Sequence, residues 1–584
     1  MKILGYSGLN GAMQYNELNN EAISGEERIV QGLDSAASII IDGQVVAAAA
    51  EERFTYNKKC DSFPINSINY CLKEAGLTID EIDYVAHGFD FGSEEDLFKA
   101  VNNRYYELIL SPEQQMKLWK DNFDISLTKE KFKSVNHHIS HASSSYYPSG
   151  FDEALCMVCD GMGELNSLTI YSVKNGNFKV LDSFYISDSI GILYSVITMH
   201  LGFKFNSDEY KVMGLAPYGN PEKFRPFFDE LVSLKNKGRF NINYQKLTGY
   251  TGKDPFFRYF RNYLNENVIS TPNNSDKLEK EHLDFAAATQ ECLERCLIHV
   301  LKYWKQTTGY EKFCYSGGVA LNCSFNGKLI EEKLFDEIYI QPASGDDGSA
   351  LGAAFYVGNQ NNNFRRRNIK SDLPFYGPSF SKNEILASLK AFENQIIVED
   401  LDSIEKAAEH AAQSLIDECV IAWFQGRMEY GPRALGNRSI LANPTVPDIK
   451  EKLNKIVKLR EGFRPFAPAV LEEKVNEYFD IINQNPFEFM LSVCQVKAEW
   501  RNRLPGITHV NSSARVQTVN ADKNPHFHKL INSFGEKSGV SCVVNTSFNI
   551  RSQPIIISPE IAVDTFLKVN IDRLYMNSIC IKKR

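Results

Sequence analysis

Three of the chain's eleven histidines fall within five positions, in Asn136-His137-His138-Ile139-Ser140-His141, followed by the small residues ASSS. On a helix, His137 and His141 stand one turn apart on a common face, the spacing of a two-point metal platform. Read alone, the same run also suits the start of a surface helix with solvated imidazoles. Two carboxylates in glycine turns could complete a ligand set: Asp160 in CDGMGE and Asp346 in GDDGSALGAA. An aspartate in such a turn is as often a turn former as a ligand. Two imidazoles with a carboxylate suit iron, zinc or manganese, and Fe(II) in particular where coordination positions stay open.

Two glycine-rich turns follow strand-like runs, Tyr315-Ser316-Gly317-Gly318 through Asn322 and Gly345 through Ala350. Glycines there let backbone N–H groups approach a phosphate at a helix start, which makes Gly317, Gly318 and Asn322 candidates for nucleotide binding. Neither turn is a Walker A or a GxGxxG. Glu209 through Gly219 mixes acid, base and turn residues and reads as a loop lining a cleft. Cys156 and Cys159 form the one close CxxC pair, but they lie on a strand whose residues three apart point to opposite faces.

The second half gathers arginines among glycines and prolines: Arg427, Arg433 and Arg438 in GRMEYGPRALGNRS, then Lys458, Arg460 and Arg464 in KLREGFRPFAP. Guanidinium forks on a backbone fixed in this way can converge on a phosphate or carboxylate, so an anion site is expected. Ser512-Ser513-Ala514-Arg515 and Asn545-Thr546-Ser547-Phe548-Asn549 add short donors and one more arginine.

These residues need elements to hold them. Strand-like runs (SAASIIIDGQVVAAAAEE, EALCMVCDG, SLTIYSV) alternate with helical ones (INSINYCLKEAGLTIDEID, DFAAATQECLERCLIHVLKYWKQ), which signals an α/β layer architecture. A polar stretch at about 357–371 reads as a linker, and beyond it a helix in IEKAAEHAAQSLIDE and strands in CVIAWFQGR, SCVVNTSF and DRLYMNSICI form a second α/β domain. No internal repeat is visible, and about 235–280 reads as a poorly periodic insertion.

With 584 residues, 43% hydrophobic and 23% charged, the chain has the composition of a folded protein of two or three domains. A net charge of -9 gives no basic field for a nucleic acid, so none is expected as a partner. No apolar run suggests a signal peptide or a membrane span. The twelve scattered cysteines suit reduced thiols in the cytoplasm. A homodimer is left open.

In order along the chain, DSAASIIIDGQVVAAAAEERF, HHISHA, DEYKVMGLAPYG, YSGGVALN, GDDGSALGAA, GRMEYGPRALGNRSI, REGFRPFAP, THVNSSARVQTV and NTSFN resemble the NodU/CmcH family of carbamoyltransferases. That family includes tobramycin carbamoyltransferase and enzymes acting on ansamycin antibiotics and nodulation factors. The resemblance runs nearly end to end. It implies an actin- and sugar-kinase-like (ASKHA) acyl-transfer domain over residues 1–358, similar to the protein that transfers threonylcarbamoyl to tRNA, and a YrdC-like domain over 372–584. It further implies two steps: carbamoyl phosphate and ATP, with Mg2+, form carbamoyl-adenylate in the second domain, and the carbamoyl group then passes to a hydroxyl of a small metabolite or sugar in the first. By the same resemblance His137, His141 and Asp346 bind Fe(II) with Asp160 beside them, and Lys458, Arg464, Arg515, Ser547 and Asn549 hold the carbamoyl phosphate and adenylate.

One position departs from the family. Its first hairpin opens with His-Asp, whereas this chain reads Gly32-Leu33-Asp34-Ser35. Leucine takes no proton, so the general base falls to Asp34 or His138, or the metal activates the acceptor, or transfer is impaired. A metal-dependent ATPase, a tRNA threonylcarbamoyl synthase fusion and a silent carbamoyl-adenylate binder are the competing readings.

Overall fold

Asp42 and Gly43 separate two apolar runs, and in the computed structural model both adopt left-handed angles, φ 49° and 87°. Asp-Gly supplies this turn, whose twist matches the strands it joins. Those strands belong to a sheet of β1 (Lys2–Ser7), β2 (Ala36–Ile41), β3 (Gln44–Ala50), β4 (Tyr84–His87) and β5 (Phe132–Ser134), in the order β3-β2-β1-β4-β5. β1 runs antiparallel to β2 and parallel to β4, and β4 runs parallel to β5. The structure describes residues 1–19, 30–244, 256–272, 278–360, 374–458, 462–482 and 487–584.

The same plan recurs. β6 (Glu153–Cys159), β7 (Asn166–Lys174) and β8 (Asn177–Tyr185) form an antiparallel meander; after a short hairpin of β9 (Val232–Leu234) and β10 (Phe240–Ile242), β11 (Lys312–Ser316) and β12 (Glu337–Ile340) add to β6 in parallel, giving β12-β11-β6-β7-β8. The β7–β8 turn is Asn175-Gly176 at φ 49° and 80°, the counterpart of Asp42-Gly43. The sequence shows no repeat because what is duplicated is connectivity and turn chemistry, not residue identity. This is the actin- and sugar-kinase-like half of the α/β class expected.

Two helices join the sheets. His137–Ser149 is capped by Asn136, whose side chain accepts from Ile139 N, and ends at Gly150, φ 72°. It packs against Asp346–Gln360, which also covers β1 and β2. The contact is close enough that a Cβ on Gly352 would lie 1.7 Å from the Ser140 carbonyl oxygen. The small residues of HISHASSS and GSALGAA are therefore what lets the two backbones meet.

Several expectations shift. Glu209–Leu215 is a helix followed by a 3-10 turn, not a loop, since its apolar Val212, Met213 and Leu215 are buried. The run from Ile65 breaks at Gly76, φ 63°, into a helix Ile65–Ala75 and a 3-10 turn Ile79–Glu81. The expected insertion holds the β9–β10 hairpin and a helix Phe256–Asn267, with 245–255 and 273–277 outside the described residues. The expected linker is helical as far as Gln360, and its remainder lies outside the described residues.

Met1–Glu51 with Lys59–Ser371 forms one compact unit, and Glu52–Lys58 with Asp372–Arg584 a second. The short segment Glu52–Lys58, left with the first domain by the sequence reading, thus belongs to the second: Arg53 is 4% exposed and donates to Gly431 O at 2.8 Å. The second unit is built on a sheet of β13 (Ile396–Asp400), β14 (Ile421–Phe424), β15 (Arg438–Ala442), β16 (Ala467–Leu471), β20 (Gln517–Val519), β21 (Cys542–Ser547), β22 (Arg573–Met576) and β23 (Ile579–Lys583), ordered β13-β23-β22-β14-β15-β21-β16-β20. A small sheet of β17 (Phe479–Asp480), β18 (Val493–Val496) and β19 (Ser513–Arg515) stands beside it. DRLYMNSICI is a hairpin, β22–β23, rather than one strand. All twelve cysteines are free thiols. Among the described residues no helix is long and apolar enough to cross a membrane.

Candidate metal centre

In the first unit the carboxyl ends of the parallel strands converge, where α/β sheets place their ligands. Gly88 follows β4, His137 follows β5, Asp160 follows β6, Gly317 follows β11 and Asp346 follows β12. His137 and His141 are fully buried. His137 Nε2 lies 3.1 Å from His141 Nε2, 3.4 Å from Asp160 Oδ2 and 3.5 Å from Asp346 Oδ1. His141 Nε2 lies 3.4 Å from Asp160 Oδ2 and 3.8 Å from Asp346 Oδ1. Ligands about 2.0–2.2 Å from one ion stand roughly 3–3.6 Å apart, so these four side chains are spaced to share a cation.

Each ligand is oriented from behind. His137 Nδ1 sits 3.1 Å from the Gly88 carbonyl, which takes its proton and turns the Nε2 lone pair to the centre. Its ring stacks on Phe89 at 4.1 Å. Asp160 Oδ1 accepts from Gly161 N (2.7 Å) and Gly318 N (3.2 Å), leaving Oδ2 for the histidines. A Cβ on Gly318 would fall 2.9 Å from Asp160 Oδ1, and one on Gly317, at φ 91°, 2.4 Å from Cys159 O. Of the glycine pair expected to approach a phosphate, Gly318 donates its amide to the Asp160 carboxylate. Asn322 is similarly engaged: its Oδ1 caps the following helix at Phe325 N and its side-chain amide pairs with Gln290.

Sequence reasoning missed Glu164. Its Oε1 accepts from His137 N and Asp90 N, both at 2.8 Å, and its Oε2 from Asn136 Nδ2 at 2.8 Å, so a buried carboxylate holds the first turn of the histidine helix. The acid lies within the CDGMGE motif, but nothing local signals its distant partners. Burial pushes the Glu164 carboxyl up, against the pull of His137 and the three donors.

The electrostatics call for positive charge at the centre. Burial opposes a charged His137, yet Asp346 and Asp160 together hold it well above its ordinary value. Burial likewise opposes an ionised Asp160, yet the two histidines pull it well below the carboxylate range. Two nitrogens and two carboxylate oxygens form a borderline donor set that fits Fe(II), Mn(II) or Zn(II).

His138 does not join the cluster. It is buried, its Nδ1 bonds Thr169 Oγ1 at 2.7 Å, and burial followed by the field of His137 pushes its imidazole down to about 3. Its Nδ1 is thus turned onto Thr169 of β7 rather than towards the cluster. Asp34 lies near the turn that leads into Asp346: its Oδ2 is 3.9 Å from where a Cβ on Gly345 would stand.

In the second unit Lys458, Ser547 and Asn549 are drawn together. Lys458 Nζ donates to Asn549 Oδ1 (2.7 Å), Asn549 O (3.1 Å) and Ser547 Oγ (3.2 Å), and Ser547 Oγ donates to Asn549 Oδ1 at 2.7 Å. Arg464 is tied through its carbonyl to Asn454, on the turn that carries Lys458. Arg515 ends β19 in the smaller sheet, and Arg460 lies outside the described residues. Arg427 and Arg438 leave the expected anion site. Arg427 donates to the carbonyls of Tyr376 and Gly377. Arg438 is fully buried, donates to Gln425 O, Asn437 O, Pro378 O and Gly426 O, and lies 3.7 Å from the centre of the Phe424 ring. Buried Glu429 accepts from Leu435 N, Asn437 N and Arg438 N. These charges hold the GPRALGNR loop together.

Fold and site define a class: an α/β protein of the actin and sugar-kinase type with a buried two-histidine, two-aspartate centre. The family profile Carbamoyltransferase N-terminus matches residues 30–355 and Carbamoyltransferase C-terminus residues 412–583. The chain belongs to the carbamoyltransferase family. It is 37% identical to nodulation protein NolNO of Sinorhizobium fredii, over 94% of this chain and 79% of that protein. It is 36% identical to nodulation protein NolO of Bradyrhizobium diazoefficiens, over 77% of this chain and 79% of that one. Among solved structures, Acidaminococcus fermentans (R)-2-hydroxyglutaryl-CoA dehydratase component A aligns at TM-score 0.32 and 16% identity, over 61% of this chain and 97% of its own.

Proposed function

We propose that this carbamoyltransferase makes carbamoyl-adenylate from carbamoyl phosphate and ATP in residues 372–584, a YrdC-like domain, and transfers the carbamoyl group to a hydroxyl of a small metabolite or sugar in residues 1–358. Water hydrolyses carbamoyl phosphate to carbamate and phosphate, the carbamate oxygen then bonds to the α-phosphorus of ATP as pyrophosphate leaves, and AMP leaves in the second step, with ATP carried as its Mg2+ complex. The observation that carries the proposal is the convergence of His137, His141, Asp160 and Asp346 at the strand ends of a carbamoyltransferase fold.

A bound Fe(II) would supply a Lewis acid that polarises the carbamoyl carbonyl. The chain's own residues do the rest. His137 and His141, fixed by Gly88 O and the helix, and Asp160, fixed by two backbone amides, set the geometry before substrate arrives. Asp34 accepts the proton of the acceptor hydroxyl. In the second domain Lys458, held by Ser547 and Asn549, faces the anionic carbamoyl phosphate together with Arg464 and Arg515, offsetting charge on the leaving group. The free thiols suit a reducing, cytoplasmic setting.

Acceptor-free incubation with ATP and carbamoyl phosphate tests this. Wild type should release pyrophosphate and yield carbamoyl-adenylate by mass spectrometry, and Arg464→Ala should lose both. Absence of pyrophosphate from Fe(II)-loaded wild type would sink the adenylate step and favour an ATPase or a silent binder.

A further inference from the structure

Asp34 and Lys59 each sit at φ 58°, in the left-handed region, although neither is glycine. They face one another: Lys59 Nζ donates to Asp34 Oδ2 at 2.6 Å. The main chain imposes both conformations, since Ser35 N donates to Cys60 O at 2.9 Å and Glu51 N to Ser35 O at 2.8 Å, clamping the residues beside each partner. The side chains are 23% and 36% exposed, so a substrate can reach them. A pair this exposed returns less stability than two left-handed non-glycine residues cost, so stability does not explain it. Left-handed residues also serve ordinary turns such as Asp42-Gly43, so it is the pairing of two of them, together with their surroundings, that points to a working site.

Its surroundings agree. Asp34 Oδ2 stands beside Gly345, which precedes the ligand Asp346. Burial works against the Lys59 charge, but Asp34, Glu209 and Asp346 together raise its value, so it stays an ammonium. Glu209 is itself held by Ser195 Oγ at 2.6 Å. A carboxylate and an ammonium thus lie near the Gly345 turn that leads into Asp346, next to the position where the imidazole usual in this family has become Leu33.

We propose that Asp34 and Lys59 act as one acceptor-activating pair, Asp34 taking the hydroxyl proton while Lys59 Nζ holds the carbamoyl carbonyl oxygen as it gains negative charge. The inference rests on the transfer step proposed above. The hydroxyl oxygen bonds to the carbamoyl carbon; the bond from that carbon to the adenylate phosphate oxygen breaks, and its electron pair leaves with AMP. The hydroxyl proton passes to Asp34 and then to water. One of the ammonium's three donors restrains Asp34, which leaves the others for the carbonyl.

Water, present in every assay, serves as the probe acceptor, and the readout is AMP formed per pyrophosphate released with ATP and carbamoyl phosphate. Asp34→Asn and Lys59→Met should each lower that ratio at least tenfold, on the order expected for lost proton transfer, with adenylate accumulating. The double variant should be no worse than either single, and Lys59→Arg should recover most of the ratio. Lys59→Gly should unfold at a higher temperature than wild type while losing transfer, because glycine relieves the left-handed strain. An unchanged ratio in Lys59→Met, multiplicative losses in the double variant, or a lower midpoint with transfer intact in Lys59→Gly would overturn the proposal. Failure of wild type to release pyrophosphate would instead refute the adenylate reading on which it rests.

Discussion

Gly352 is the point where a single methyl group should separate the two helices that carry the metal ligands. A Cβ there would lie 1.7 Å from the Ser140 carbonyl oxygen, a backbone atom that cannot rotate away. Restoring an ordinary contact of about 3.2 Å requires the helices to part by roughly 1.5 Å. His137 and His141 ride on one helix and Asp346 begins the other, so much of that displacement falls on the 3.5 Å and 3.8 Å separations between them. Opened to about 5 Å, they exceed what one ion with bonds near 2.1 Å can span. Gly352→Ala should gain up to about 1 kcal/mol of helix propensity and lose about 1–3 kcal/mol to overpacking. The net expectation is modest destabilisation, but metal retention should fall steeply. Metal content after anaerobic loading with Fe(II), measured beside calorimetric unfolding, checks this. A variant that retains a full equivalent of metal and unfolds at the wild-type temperature would refute the account of why this helix is built from glycine and alanine.

Glu164→Gln replaces one acceptor oxygen by an N–H2 that faces either Asn136 Nδ2 or the His137 and Asp90 amides, so chelator competition should show metal affinity about 10–100-fold weaker; unchanged affinity would reduce Glu164 to packing. Arg438→Met removes a charged fork from four buried carbonyls and should destabilise the protein by about 3–5 kcal/mol in denaturant titrations; a loss below 1 kcal/mol would return Arg438 to the anion site. His87 is buried with its Nε2 3.1 Å from Gly8 O, and burial pushes its imidazole from 6.5 down to about 4. The unfolded chain therefore binds the proton first, and stability is intact above pH 6.5 and falls as pH drops from 6.5 towards 4, by about 3 kcal/mol at most. His87→Gln should flatten that part of the stability profile, and an unchanged slope would assign the loss to other groups.

What the sequence revealed was what depends on near neighbours. The one-turn spacing of His137 and His141 needed no distant contact to be legible, and the helix carries it. The Asp42-Gly43 turn is equally local but sits inside what reads as one strand-like run, which the structure splits into β2 and β3. Arginines 427 and 438 were misread because composition gives their charge but not their surroundings. Only the folded loop shows backbone carbonyls, not an anion, around them. Gly317 and Gly318 were recognised as special, but the contact of Gly318 N with Asp160 Oδ1 was not legible, since a glycine before a helix looks alike whether its amide meets a phosphate or a carboxylate. Glu164 and Lys59 were missed outright: their roles depend on partners 27 and 25 positions away, brought near by sheet pairing.

The duplicated sheet explains how the site brings together four residues from separate motifs. Two of its supports, Gly88 O and the start of the histidine helix, follow strands of the first sheet, while Asp160 and Asp346 follow strands of the second. The helix that begins at Asp346 then returns to cover β1 and β2. The centre therefore exists only when both sheets have formed and the two small-residue helices have met. Leu33, where this chain departs from the family, lies with Asp34 and Lys59 on the first-sheet side, on the loop into β2 and the return after β3. In the transfer proposed above, the ligand cluster would hold the electrophile and this rim would meet the hydroxyl, which assigns acceptor choice to the loops of the first sheet.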